Sequence, residues 1–187
     1  MDNELTATEE IVLITRAQDG DRVAFANLVR VHSMRLYRIA FALLGNQADA
    51  EDVVQEAFIA AYRSLHGLRK KASFESWLNS IVVNRARDRL RKRKYDRELV
   101  SRMTKNEDLL ESNGKYSVEP LAEQQHFSEL REAIDKLPCM HRLVILLYYG
   151  EGYNTGEIAR SLGRPAGTVR RMLSDARQML REYLTEK

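Results

Sequence analysis

Arginine and lysine are the residues whose type and spacing most clearly indicate a chemistry in this 187-residue sequence. Eight of them fall between residues 85 and 97, where only two acids accompany them. A local excess of positive charge suits the binding of a polyanion, because counterions are released when the polyanion docks. The alternative is a solvated helix end, since cations near the carboxyl terminus of a helix also suit its dipole.

A second basic pair, Arg170 and Arg171, lies near the carboxyl end of the sequence. The surrounding residues predict an amphipathic helix, because apolar residues recur at helical spacing. Its charged face is either solvated or in contact with a ligand, and the pattern alone does not decide between them. The apolar positions are Val169, Leu173, Ala176 and Leu180.

Motifs for catalysis are not found in the sequence. The single cysteine, Cys139, excludes an intrachain disulfide and fits a small packing residue in a reducing compartment. Four scattered histidines lack the paired spacing of a zinc site, and neither a Gly-rich phosphate loop nor a nucleophile motif occurs. We therefore expect a protein that is not an enzyme and has no metal or cofactor.

The apolar segments and the amino terminus indicate whether the protein is secreted or inserted into a membrane. The longest apolar run, residues 143–149, is far too short to span a membrane, and the acidic amino terminus lacks the features of a secretion signal. We expect a cytoplasmic protein that does not itself insert into a membrane.

Helical periodicity covers most of the sequence, and sustained strand alternation is found nowhere. The sequence predicts an all-α fold of two small helical domains joined by a flexible linker. Helices are predicted over about 9–18, 22–44, 46–65, 73–94, 126–137 and 140–149, followed by two further helices near the carboxyl end. Weak periodicity, acids, Gly114 and Pro120 predict the linker at 98–124, between domains at 1–97 and 125–187.

The last two helices have the pattern of a helix-turn-helix. Asn154 is a predicted cap with Glu157 reaching back to it, and Gly163 ends this short helix. Pro165 can then start the helix that contains Arg170 and Arg171. A helix, a short Gly-containing turn and a second helix place the outward face of that second helix in a major groove.

Four motifs in order resemble those of the bacterial sigma factors of RNA polymerase, in the compact extracytoplasmic function (ECF) group. The match covers about residues 10–97 and 125–184. The motifs are RAQDGDRVAFANLV, GNQADAEDVVQEAFIAAYRSL, FESWLNSIVVNRARDRLRK and LPCMHRLVILLYYGEGYNTGEIARSLGRPAGTVR.

This resemblance implies a protein that binds core RNA polymerase and promoter DNA and has no enzymatic activity of its own. The amino-terminal domain would bind the clamp helices of the beta-prime subunit and melt the minus-10 element. The clamp contacts implied are Asp52, Gln55, Glu56 and Ile59. The minus-10 contacts implied are Arg69, Lys70, Lys71, Asn84, Asp88 and Arg91, whereas Trp77 is expected to be a core residue.

The carboxy-terminal domain would read the minus-35 element and contact the flap of the beta subunit. Its implied DNA contacts are Thr168, Arg170, Arg171 and Ser174. Family members usually have an anti-sigma factor as a further partner, soluble or membrane-bound. The sequence departs from the family pattern at Arg171, Met172 and Asp175, and Asp175 would repel phosphate. Gly156 is expected to cost its helix about 1 kcal/mol.

Two other functions compete with this interpretation. A two-component or quorum-type regulator also ends in a helix-turn-helix, but its sensor domain is rich in strands, which this sequence does not predict. A helical adaptor that binds only protein would leave the basic run solvated. Initiation from a specific promoter with core polymerase discriminates between a sigma factor and an adaptor.

Overall fold

The computed structural model describes residues 6–104 and 125–185, and within these ranges it contains eight α-helices and no strand. The predicted all-α fold is therefore confirmed for the described part of the chain. Most of the predicted linker, residues 105–124, lies outside that part. The helices are α1 (Ala7–Gln18), α2 (Arg22–Leu44), α3 (Gln47–Ser64), α4 (Phe74–Thr104), α5 (Gln125–Lys136), α6 (Cys139–Ile145), α7 (Thr155–Leu162) and α8 (Ala166–Thr185).

Side-chain caps start the first three helices. Thr6 and Glu9 form a reciprocal capping box, so α1 begins earlier than the predicted residue 9. Asp21 accepts hydrogen bonds from two backbone amides of α2, and Asn46 accepts one from the amide of Asp49 in α3. Gly45 separates α2 from α3 in a left-handed conformation with φ 72°, which a glycine adopts without strain.

Three local details differ from the prediction. Ser73, the predicted cap of α4, lies in a 3-10 turn, Lys71–Ser73, and α4 itself begins at Phe74. The same helix continues to Thr104, beyond the predicted end at about residue 94. The helix predicted at 140–149 is α-helical only over Cys139–Ile145 and widens into a π-helical turn, Leu146–Gly150.

Helices of the two halves of the chain share one hydrophobic core. α2 packs against α3 and α4, while α6 and α7 pack against α8. α7 also lies against α4, and α6 against α2, so apolar residues of both halves form a single buried cluster. This packing fixes the outer faces of α3, α4 and α8 relative to one another.

The helix-turn-helix is present in α7 and α8. Asn154 and Glu157 form the predicted capping box, and Gly163 ends α7 in a left-handed conformation with φ 60°. Ile158 of α7 and Val169 of α8 are fully buried. A Cβ added at Gly156 would lie 3.1 Å from the Asn154 Oδ1 atom that caps the helix, so glycine leaves room for this cap.

Candidate nucleic-acid interface

The outward face of α8 carries the residues expected to read DNA. Because Val169 and Leu173 are buried, the opposite side of the helix faces solvent. Arg170, Arg171 and Ser174 are exposed there, as the amphipathic pattern predicted, and Thr168 is half-buried near the start of the helix. The three exposed side chains form a polar strip within one turn of each other, close to the amino-terminal end that a major groove admits.

Asp175 has a partner on the same helix. Its Oδ2 atom lies 3.8 Å from Nε of Arg171, one turn earlier. The Arg171 side chain remains 85% exposed, so this contact does not remove it from solvent. An exposed pair at this spacing contributes only a few tenths of a kcal/mol, but it limits the directions in which the guanidinium points.

The loop before α4 and the exposed side of α4 contain the residues expected at the minus-10 element. Arg69 and Lys70 are exposed, while Lys71 is half-buried and its Nζ atom donates to Thr15 Oγ1 at 2.7 Å. Lys71 therefore ties the loop to α1. On α4 the exposed positions are Asn84, Asp88 and Arg91, with 3.2 Å between Asp88 Oδ1 and Arg91 Nη1.

Trp77 lies on the core side of the same helix. It is half-buried and packs against the hydrophobic cluster, with its ring centroid 5.8 Å from that of Phe74. An indole in this setting fills the core beneath the loop, in agreement with its expected role.

The exposed face of α3 carries the four residues expected to bind polymerase: Asp52, Gln55, Glu56 and Ile59. Their apolar neighbours Val53 and Ala57 are fully buried. Ile59 is 53% exposed although it is a large aliphatic residue. An exposed aliphatic side chain bordered by acids and an amide suits contact with a protein surface.

Sequence reasoning missed a cluster of ion pairs between α3 and α4. Nη1 of Arg89 lies 2.9 Å from Asp49 and 3.6 Å from Asp52, and its Nη2 lies 3.1 Å from Glu56. Arg93 pairs with Asp49 as well. Part of the basic run of α4 is thus engaged by acids of the neighbouring helix. A charge run and an acidic face, taken separately, contain no signal that they meet.

A group of six polar residues, one buried and five half-buried, joins the two halves of the chain, and we call it the joint. Arg35 of α2 donates to Tyr153 Oη at 2.8 Å and also pairs with Glu75 of α4, while Tyr153 Oη donates to Glu75 Oε2 at 3.0 Å. Burial raises the pKa of Tyr153 to about 12, although the positive charge of Arg35 opposes the rise. The joint consists of Arg35, Arg38, Glu75, Arg142, Glu151 and Tyr153.

The remaining members of the joint are two further arginine contacts. Arg38 binds Glu151 with both Nε and Nη2, at 2.7 and 3.1 Å, and the Glu151 side chain is 8% exposed. Arg142 of α6 is buried and donates to the carbonyl oxygens of Ala42 at 2.8 Å and Asp135 at 3.0 Å. The buried Arg142 therefore has two backbone acceptors, and the buried carboxylate of Glu151 has two donors from Arg38, without which their burial would be costly.

A group that shares Glu75 with the joint brings three possible metal-ligand atoms together. Ligand atoms of Glu10, His32 and Glu75 lie within 4.8 Å of one another. However, Arg35 Nη2 lies 3.0 Å from His32 Nδ1, which must then accept a hydrogen bond, because arginine can only donate. The ring proton is consequently on Nε2, 2.9 Å from Glu10, where no lone pair remains for a metal. We assign this group to packing.

Within the ranges 6–104 and 125–185, no helix is both long and apolar enough to cross a membrane.

Comparison with known proteins agrees with this geometry. Family models for sigma-70 region 2 and sigma-70 region 4 match residues 28–95 and 133–182. The ECF RNA polymerase sigma factor SigW of Bacillus subtilis is 32% identical over 92% of this chain and 95% of its own length. The chain belongs to the ECF sigma factors.

Three further similarities extend the comparison. The ECF sigma factor SigE of Mycolicibacterium smegmatis is 35% identical over 89% of this chain and 65% of its own length. Among solved structures, CnrH in complex with the cytosolic domain of CnrY has a TM-score of 0.67 and 26% identity, covering 96% of this chain and 99% of that one. The sigma factor RpoE of Bartonella quintana, solved with the anti-sigma factor NepR, shares the fold with a TM-score of 0.68.

As an ECF sigma factor, the protein directs RNA polymerase in promoter recognition and transcription initiation. The region 2 match spans most of α2, all of α3 and the part of α4 up to residue 95, which carries all but one cation of the basic run. The region 4 match extends from the end of α5 to nearly the end of α8 and so includes the helix-turn-helix.

Proposed function

We propose that this ECF sigma factor binds its partners through three exposed faces, each with a separate function. The face of α3 binds core RNA polymerase, the basic loop with the exposed side of α4 holds the melted minus-10 strand, and α8 reads the minus-35 element. The corresponding functional units are residues 1–97 and 125–187, connected by 98–124. The polar strip on α8, opposite a buried apolar side, is the observation that carries the proposal.

The minus-35 assignment rests on the chemistry of the exposed side chains. Arginine can donate two hydrogen bonds to O6 and N7 of guanine, whereas a serine hydroxyl contacts bases with less discrimination. Arg170, Arg171 and Ser174 therefore supply base contacts, and Thr168, near the helix start, suits a phosphate contact.

The minus-10 assignment rests on charge and exposure. Arg69, Lys70 and Arg91 can neutralise phosphates of a separated strand, while Asn84 and Asp88 lie one turn apart on the same side of α4. Lys71 is tied to Thr15 and supports the loop as well as adding charge.

Partners and setting follow from the same proposal. Core polymerase is contacted through its clamp helices and its beta flap, and the protein acts in the cytoplasm without catalysing a reaction itself. An anti-sigma factor is a further partner. CnrH and the Bartonella sigma factor, both similar in fold to this chain, were solved bound to other proteins, the latter to an anti-sigma factor.

The polymerase face is tested by Ile59→Lys. Ile59 is 53% exposed, so lysine there leaves the core intact but places a positive charge where a basic partner surface is expected. We expect affinity for core polymerase to fall at least tenfold, about 1.4 kcal/mol, with promoter-directed transcription reduced in parallel.

The matched control is Val12→Lys on α1, because Val12 is 51% exposed and lies outside the proposed face. Both variants should retain the free energy of unfolding of the wild type within about 0.5 kcal/mol. Equal polymerase affinity for the two lysine variants would reject α3 as the binding face. A wild-type chain that binds core but starts no specific transcript would instead indicate an adaptor.

A further inference from the structure

The ion pairs between α3 and α4 place Arg89 in two surfaces at once. Its guanidinium contacts Asp52 and Glu56, which lie on the proposed polymerase face. Arg89 also belongs to a row of cations along α4, since Arg85 precedes it by four residues and Lys92 follows it by three. Arg85 and Lys92 are exposed.

The environments of the three carboxylates around Arg89 differ. Asp49 is 15% exposed in its side chain and also accepts from Asn46 and pairs with Arg93, so it is a fixed anchor. Asp52 and Glu56 are 60% and 49% exposed. A basic surface that approached α3 would reach these two acids and would compete with Arg89 for them.

We propose that Arg89 is a positioning residue that couples partner binding at α3 to nucleic-acid binding on α4. Glu56 accepts from Nη2 of Arg89 and Asp52 lies 3.6 Å from its Nη1, so the row Arg85, Arg89 and Lys92 is incomplete as a phosphate-binding strip. Occupation of the two acids by a basic partner frees Nη2 for a phosphate of single-stranded nucleic acid, while Nη1 remains bound to Asp49.

Coupling of this kind is reciprocal. A phosphate that draws Arg89 away exposes Asp52 and Glu56, which strengthens the attraction of α3 for a basic surface by the same factor. Exposed ion pairs are individually weak, so exchanging one set of partners for another costs little free energy. Arg89 can therefore change partners without unfolding either helix. The coupling rests on the proposed function only in identifying the basic partner as polymerase.

The direct test measures binding of the full chain to a labelled single-stranded DNA oligonucleotide, without polymerase, over a range of salt concentrations. The double substitution Asp52→Asn with Glu56→Gln mimics acids occupied by a partner. We expect several-fold tighter binding than the wild type, and a steeper dependence on salt by about 0.7 in log–log slope for one added phosphate contact.

Two comparisons test whether the gain in DNA affinity comes from the release of Arg89 or only from the loss of negative charge. Glu51→Gln removes a carboxylate from the same helix, but Glu51 accepts from Gln47. This substitution should therefore give a smaller gain in DNA affinity than Glu56→Gln alone. In an Arg89→Gln background the double substitution should lose both the gain and the added slope, whereas a Lys94→Gln background should retain them. Lys94 pairs only weakly with Glu98, at 3.8 Å.

The proposal is overturned if the double substitution gives no gain, or gives the same gain with Arg89 present and absent. Urea unfolding of each variant checks that the helices remain packed. Because polymerase is absent from the measurement, a failure here leaves the proposed polymerase face untouched, and a failure of that face leaves this result standing.

Discussion

The joint and the recognition face of α8 use the same residue type in opposite ways. Arg142 is 6% exposed and both of its acceptors are backbone carbonyls of this chain, whereas Arg171 is 85% exposed in its side chain and has one distant contact. A buried arginine with fixed acceptors contributes to stability, and an exposed one is available for an outside partner. The difference shows that burial separates the structural from the recognition role of arginine better than sequence does.

The largest effect should follow from Arg142→Met. Methionine fills a similar volume but leaves the Ala42 and Asp135 carbonyls without their charged donor. We expect the free energy of unfolding to fall by about 2–3 kcal/mol, measured by urea unfolding. Arg170→Met, which removes an exposed arginine, should change it by less than about 0.5 kcal/mol. Equal stability of the two variants would remove the contrast between joint and face.

A somewhat smaller effect is expected for Arg171→Ala, on the recognition face of α8. Loss of base contacts should weaken binding to the preferred minus-35 sequence by about 1–3 kcal/mol, with less loss on scrambled sequences. Holoenzyme binding to promoter variants measures this, with Arg181→Ala near the far end of α8 as the control. A loss that is uniform across sequences would assign Arg171 to a phosphate.

The smallest effect concerns Tyr153 at alkaline pH. Because its pKa is raised from 10.0 to about 12, the folded state keeps the phenolic proton longer than the unfolded state does. The resulting stability is fully present below about pH 10 and is lost as the pH rises through about 12. After allowance for partial exposure we expect about 1 kcal/mol.

Urea unfolding at several alkaline pH values checks this expectation, with Tyr153→Phe as the variant. The substitution should flatten the decline between pH 10 and 12, whereas Tyr95→Phe, which removes a 66% exposed phenol, should not. The same decline in both variants would mean that Tyr153 is not the group responsible.

Local signals made the helix-turn-helix predictable. Asn154 and Glu157 act within one turn of chain, and Gly163 ends α7 through its own backbone, so neither requires knowledge of tertiary packing. The exposed strip on α8 was likewise predictable. The helical period of 3.6 residues is enough to place Arg170 outside the apolar face that contains Val169.

Contacts between distant parts of the chain were not predictable in the same way. Arg35 and Tyr153 are 118 residues apart, and Arg89 and Glu56 are 33 apart, so their pairing depends on how the helices pack. The charge run of α4 looked uniform in sequence, yet Arg89 faces acids of α3 while Arg91 is exposed. Without the packing, the sequence could not distinguish the engaged from the exposed cations.

The long helix α4 leaves the core part of the way along its length. Among the residues of α4 whose side chains the structure describes, Ala86 is the last that is fully buried and Leu90 is the last that packs against the core, although the helix continues to Thr104. Backbone amides near the start of α4 exchange hydrogen with water only when the core opens, whereas those beyond Leu90 exchange through fraying of the helix end. One uninterrupted helix thus has a gradient of local opening free energy, with the ion pairs of Arg89 and Arg93 at its midpoint.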